Sequence, residues 1–267
     1  METPFQPFDP DGDESDSKPA ADAPVRLRDI PLRTIVPNLL TLLAFCSGLT
    51  SIRFAIDGRL ELAVAAIILA GFLDGIDGRV ARFLKSTTRF GAEMDSLADF
   101  VNFGVAPAML LYFTMLNEAK SIGWIAALLY AICACLRLAR FNVMLDNPDL
   151  PEWRKRFFTG VPAPAGAVIA LLPIYLQLLG WDMHVAVAIA FTLFCGFLMV
   201  SNIPTYSGKD FGPVRTDFVL PFMIFAVLLA AAVISYPWEM FTAIAVCYLV
   251  SLPFSHFSYK RLNRLEE

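Results

Sequence analysis

Apolar residues in this chain run in long stretches broken by short polar clusters, and the stretches have the length of helices that cross a bilayer. A hydrocarbon layer of about 30 Å takes about 20 residues at a rise of 1.5 Å. Eight stretches meet or approach that length: 36–56, 60–84, 91–116, 122–141, 161–179, 184–202, 218–235 and 238–256. The last two are short enough to tilt or to lie partly in the interface. Composition supports the same picture, with 57% hydrophobic and 17% charged residues and a mean hydropathy of +0.60, values outside the soluble range for this length. The expected fold is an all-α integral membrane bundle of about eight transmembrane helices.

Basic residues orient that bundle, because translocated loops are poor in Lys and Arg. With the N-terminus inside, one face carries Arg26, Arg28, Arg33, Arg79, Arg82, Lys85, Arg89, Arg137, Arg140, Arg154, Lys155, Arg156, Lys209, Arg215, Lys260, Arg261 and Arg264. The other face holds Arg59 and Lys120, with Arg53 near it. Both termini are expected in the cytoplasm. Residues 1–24 contain too few apolar positions to bury a core and are expected to be a disordered tail, in which Asp13, Glu14 and Asp16 are solvated. No basic region followed by a short apolar core marks a cleavable signal. Residues 25–35 mix arginines with Val25, Leu27, Ile30, Leu32 and Ile35, which suits an interfacial segment or a linker. Residues 36–256 would form the transmembrane domain and 257–267 a short cytoplasmic tail. The five cysteines all fall in apolar stretches and read as small buried apolar residues.

Four aspartates break the apolar pattern. Asp74 and Asp77 lie in the run DGIDGRVAR at 74–82, and Gly91, Asp95 and Asp99 follow at intervals of four. Each unpaired carboxylate deep in a bilayer costs about 2.5–3.5 kcal/mol on the lenient insertion scale. At 100° per residue Asp74 and Asp77 share a face with Gly78 and Ala81, with Arg82 at its edge, while Gly91, Asp95 and Asp99 form a second single-faced row. Antiparallel packing would oppose the two rows and make a cage of hard oxygen ligands suited to one or two Mg²⁺ or Mn²⁺ ions. Counted from Leu60, Asp74 sits about 10 Å inside the cytoplasmic boundary.

The spacing D-x-x-D-G-x-x-A-R-x8-G-x3-D-x3-D resembles the signature of the CDP-alcohol phosphotransferase family, and every signature position is met. The resemblance implies Asp74, Asp77 and Asp95 as metal ligands, and Asp99 as general base with a share in the second metal. It implies Arg82 on the diphosphate, and Gly78, Ala81 and Gly91 beside the nucleotide. The run PNLLT at 37–41 resembles the family's PNxxT element, which adds Pro37, Asn38 and Thr41 to the nucleotide contacts. It also implies a homodimer. An alternative class, a transporter or cation channel lined by the aspartates, predicts an internal repeat, and no second acidic pattern follows residue 120.

Three further segments, 136–142, 158–165 and 201–209, resemble the bacterial phosphatidylserine synthase branch of that family. This branch implies a bacterial inner-membrane location, CDP-diacylglycerol and L-serine as substrates, membrane lipid as surroundings and no nucleic acid. Arg137, Arg140 and Lys209 then become candidates for the serine carboxylate or a lipid phosphate, with Asn142, Tyr206 and Ser207 as hydrogen-bonding candidates. Snorkelling cations that enforce topology are the alternative for the three basic residues. Other acceptors, such as glycerol 3-phosphate, an inositol phosphate or choline, stay open.

Overall fold

The computed structural model describes residues 32–145, 157–206 and 219–266. Helices account for nearly all of them. Helix α1 is Leu32–Ile56, α2 Leu60–Phe83, α3 Arg89–Asp99, α4 Ala106–Thr114, α5 Ser121–Leu145, α6 Ala163–Ala170, α7 Leu172–Leu178, α8 Val185–Val200, α9 Val219–Ser235 and α10 Pro237–Glu266. Two strands, β1 Phe157–Thr159 and β2 Pro204–Tyr206, pair antiparallel with Phe158 opposite Thr205.

Among the described residues four helical stretches are long and apolar enough to cross a membrane: Ile35–Ile56, Arg89–Thr114, Ser121–Met144 and Pro237–Ser255. The protein is an all-α integral membrane protein, but the expected count of eight spans is not confirmed. The discrepancy has physical causes. Helix α2 has 24 residues, about 36 Å at 1.5 Å each, yet carries Glu61, Asp74, Asp77, Arg79 and Arg82 and so fails on charge rather than length. The stretch expected at 161–179 divides into α6 and α7, because Pro173 supplies no N–H to the preceding turn. Helices α8 and α9 are apolar but only 16 and 17 residues long. At the N-terminus, residues 32–35 of the expected interfacial segment belong to α1, which therefore begins before Pro37. Residues 25–31 lie outside the described part. At the other end α10 continues to Glu266.

Helix α1 packs most extensively on α2, and its buried face is a stripe of small residues, Thr41, Ala44, Gly48, Ser51 and Ala55, spaced three and four apart, on which Thr41 meets Asp77 of α2 and Gly48 lies against Asn102 of the turn after α3. Small side chains let backbones approach closely, which suits a bilayer, where lipid is as apolar as leucine and packing must supply the attraction. Helix α2 answers with Ala63, Val64, Ala66, Ile67 and Ala70, all buried. The central core is completed by the fully buried Tyr130 of α5 and Tyr175 of α7.

Between α3 and α4 the chain keeps turning but widens to a π-helix over Phe100–Val105, directly after Asp99. Pro107 follows and offers no N–H to the carbonyl four residues earlier, that of Phe103. The Tyr130 hydroxyl donates to that carbonyl at 3.1 Å. An α5 side chain thus braces the turn that follows the last aspartate. Replacing it tests the brace: Tyr130→Phe should destabilise the purified protein by about 1–3 kcal/mol. Thermal unfolding in detergent reads the loss, and an unchanged midpoint would show that the π-turn needs no such support.

Candidate active site

The short connection between α2 and α3 sets the geometry of the acidic residues. Lys85 adopts a positive φ of 51°, and Thr88 caps α3 by accepting a hydrogen bond from the Gly91 N–H at 3.0 Å. That cap fixes where α3 starts and therefore which face Asp95 and Asp99 occupy. One carboxylate oxygen each from Asp74, Asp95 and Asp99 gathers within 4.8 Å, all three side chains half-buried. Asp74 and Asp99 are within hydrogen-bonding reach of each other. The fourth aspartate stands slightly apart: Asp77 is only 3% exposed, faces Asp95 and accepts a 2.6 Å hydrogen bond from the Thr41 hydroxyl.

Among the described residues none of the four aspartates forms an ion pair, so no cation among them balances this charge. Asp99 Oδ1 is buried without a hydrogen-bond partner. An orphaned carboxylate oxygen, in a set made wholly of carboxylates at membrane depth, fits a hard divalent cation with oxygen coordination. The acidic group can hold a metal ion.

Beside the cage lies a cavity of about 450 Å³. Its lining contains Pro37, Asn38 and Thr41 from α1, Gly78, Ala81 and Arg82 from α2, and Gly91 from α3, together with Asp77 and Asp95. Every residue that the sequence proposed for nucleotide contact therefore shares one space, which opens onto two of the aspartates. The two glycines act differently. A Cβ on Gly78 would meet nothing within 4 Å, so Gly78 keeps the cavity wide. A Cβ on Gly91 would lie 3.0 Å from Asn38 Oδ1 and 3.1 Å from Thr88 Oγ1, so Gly91 lets α1 approach the start of α3. Arg82 folds back on its own helix, its Nε donating to the Gly78 carbonyl at 3.0 Å, with the rest of the guanidinium on the cavity wall.

The three segments outside the signature also meet. Arg140 is their junction: Nη1 donates to Val200 O and Asn202 Oδ1 at 3.0 and 3.1 Å, and Nη2 reaches Thr159 O, Met199 O and Ser201 O at 3.1–3.3 Å. One side chain thereby satisfies carbonyls at the end of α8 and ties them to β1. These contacts leave only Nε uncommitted, so Arg140 holds the fold rather than waiting for a ligand. Arg137 differs. It is 6% exposed, its Nε donates to Val161 O at 3.2 Å, its guanidinium carbon lies 4.9 Å from the centre of the Phe141 ring, and it is within electrostatic reach of Asp99. Asn142 donates to Ser96 Oγ at 3.0 Å, which joins α5 to the aspartate helix. Tyr206 closes β2. Ser207 and Lys209 lie outside the described residues.

Ser86, Thr87, Thr88 and Ala92 also line the cavity and were not singled out from the sequence. Ser86, Thr87 and Thr88 fall in the eight-residue gap of the signature and Ala92 in the three-residue gap after Gly91, both of which prescribe a length and no residue types. The Ser-Thr-Thr run ahead of an amphipathic stretch was the available signal, as a capping sequence. All five cysteines are free thiols.

Comparison with known proteins places this geometry. Residues 34–198 match the model of the CDP-alcohol phosphatidyltransferase family, and residues 217–253 match a second model, CDP-alcohol phosphatidyltransferase 2. The chain is 44% identical over 224 residues to a CDP-diacylglycerol–serine O-phosphatidyltransferase of Mycobacterium leprae, covering 83% of this chain and 74% of that protein. It is 34% identical over 222 residues to the protein of that name from Helicobacter pylori, covering 81% and 88%. The corresponding Methanocaldococcus jannaschii protein is 33% identical over 204 residues, covering 76% and 85%.

The contrast between the two arginines can be measured. Arg140→Ala leaves several carbonyls without donors and should cost at least about 1.5–3 kcal/mol of stability. Arg137→Met keeps most of the volume while removing a buried charge, and should cost less or even stabilise. Thermal unfolding in detergent ranks them; the reverse order would reassign the structural role to Arg137.

Proposed function

The chain belongs to the CDP-alcohol phosphatidyltransferase family, and from that membership we propose that it transfers the phosphatidyl group of CDP-diacylglycerol to the hydroxyl of L-serine, giving phosphatidylserine and CMP. The observation that carries this reading is the shared space: the residues matching the family's nucleotide elements line one cavity that opens onto Asp77 and Asp95. The naming of the relatives supports serine as the acceptor.

Asp74, Asp77, Asp95 and Asp99 would hold Mg²⁺ or Mn²⁺, two ions in the fullest arrangement. Bound metal would neutralise the diphosphate and stabilise charge developing as its bridge breaks. The residues supply everything else. The cytidine nucleotide enters the cavity against Asn38, Thr41, Gly78, Ala81 and Gly91, close to helix backbone because glycine and alanine leave the room. Arg82 fixes the diphosphate, and the acyl chains stay in lipid. Serine approaches with its carboxylate toward Arg137. The serine oxygen attacks the phosphatidyl phosphorus, the bond from that phosphorus to the bridging oxygen breaks, CMP departs with that oxygen, and the serine hydroxyl proton passes to Asp99. Thr41 holds Asp77 so that its second oxygen faces the cavity. The positive-inside pattern supports a site open to the cytoplasm, with both termini on that side.

Purified protein in detergent should release CMP from CDP-diacylglycerol when serine is added, and a chelator should stop it. Full turnover in excess chelator would remove metal from the scheme, and a preference for glycerol 3-phosphate, an inositol phosphate or choline in a panel of acceptors would replace serine. Asp74→Asn or Asp95→Asn should abolish activity, because each removes a negative charge at nearly constant size. Asp99→Asn should keep CDP-diacylglycerol binding and lower turnover by about 10² or more. Loss of binding with the rate kept at saturation would make Asp99 a ligand and not a base.

A further inference from the structure

Helix α10 carries a polar group that nothing above uses. The helix docks on β2 through Ser255, whose hydroxyl donates to Pro204 O at 2.8 Å. Two turns earlier, Tyr248 is half-exposed as a residue, but its hydroxyl is buried and makes no hydrogen bond. That hydroxyl lies within hydrogen-bonding reach of Thr205 of β2 and within electrostatic reach of Arg137, and Thr205 and Arg137 bond the adjacent carbonyls of Gly160 and Val161. Thr205 is itself 1% exposed, and its own hydroxyl donates to Gly160 O at 2.9 Å. Arg137 is in the complementary condition: its single hydrogen bond among the described residues leaves from Nε, so both Nη groups are uncommitted.

A buried hydroxyl without a hydrogen bond among the described residues and a buried guanidinium with both Nη groups uncommitted are each costly at membrane depth, and here they lie within electrostatic reach of one another. The two are donors for the same kind of object, an anion with more than one acceptor oxygen. A guanidinium fork takes two oxygens of a carboxylate, and a phenol adds a third donor from another direction. Asp99, within electrostatic reach of Arg137, puts that anion next to the proposed base. Resting on the serine reading above, we propose that the Tyr248 hydroxyl donates to the carboxylate of the acceptor amino acid held by Arg137, and so sets specificity for an amino-acid acceptor. The residue comes from the last helix, outside both the aspartate signature and the three segments that resemble the serine branch.

Because the hydroxyl makes no hydrogen bond among the described residues, Tyr248→Phe should leave the unfolding temperature of the free protein unchanged. The full-length variant in detergent, assayed by CMP release, should show a serine KM raised about tenfold or more, with the KM for CDP-diacylglycerol unchanged. Preference for L-serine over L-serinamide, which lacks the carboxylate, should fall by a similar factor. An unchanged serine KM and preference in the folded variant would overturn the proposal while leaving the serine reaction intact. A matching rise in the KM for CDP-diacylglycerol would also overturn it, by placing the hydroxyl on the lipid donor. Failure of the wild-type protein to use serine at all would overturn both the proposal and the reading beneath it.

Discussion

Carboxylates placed at membrane depth must be neutralised, and the half of this protein that holds the acidic site is arranged around that requirement. Each of the four aspartates would be expensive in hydrocarbon, yet no arginine or lysine among the described residues pairs with them. Pairing them internally would have been the cheaper route to stability and would have filled the site. Instead three converge on one point, and the fourth is pinned by a threonine from a neighbouring helix. Like charges held this close raise the affinity for a divalent cation by the same Coulomb energy that they cost in its absence. The packing of α1 on α2 would then hold the cage together in the absence of a cation.

Much of this was legible in the sequence, because period and charge cost are local properties. Asp74 with Asp77, and Gly91 with Asp95 and Asp99, fall on helix faces by arithmetic alone, whereas the grouping of Pro37, Asn38 and Thr41 on α1 came from the resemblance of PNLLT to the family's PNxxT element. What the arithmetic could not reach was set by contacts between distant segments. That Thr41 would bond Asp77 rather than the nucleotide alone depends on the α1–α2 register. Arg137 and Arg140 looked alike, two basic residues three apart at a helix end. Their difference arises because the α8 terminus and β1 come to Arg140 and not to Arg137. The count of eight spans is a related case: the expected 161–179 stretch joins α6 to α7 across Pro173, and α2 has the length to span but carries the charges of the acidic site.

The architecture separates two tasks. The proposed donor contacts sit on α1, α2 and α3, elements consecutive in the chain and joined by short connections. The proposed acceptor side is built from α5, the strand pair, α8 and α10, which are far apart in sequence and bound together by Arg140 and by the hydroxyls of Thr205 and Ser255. Asp99 belongs to the first group and Arg137 to the second, and they lie within electrostatic reach of each other. Helix α5 braces the two groups, through Tyr130 on Phe103 O and Asn142 on Ser96, and such a division would let the acceptor side vary while the acidic cage keeps its geometry.

Unpartnered polar atoms sharpen this division, because in lipid they have no water to fall back on. Asp99 Oδ1 and the Tyr248 hydroxyl are both of this kind, and each faces the place where a charged group of the reaction is proposed to sit. Asn102 is different. It is fully buried in the π-turn with neither amide atom bonded, directed at Gly48 of α1, where any side chain would collide with it. Nothing on α1 there answers its hydrogen bonds, and the structure gives no reason for an amide at that position. The contrast defines what counts as functional incompleteness in this fold. An orphaned atom carries a mechanistic inference when a complementary orphan lies within electrostatic reach, as Arg137 does of Tyr248, and carries none when its neighbour is a bare helix backbone.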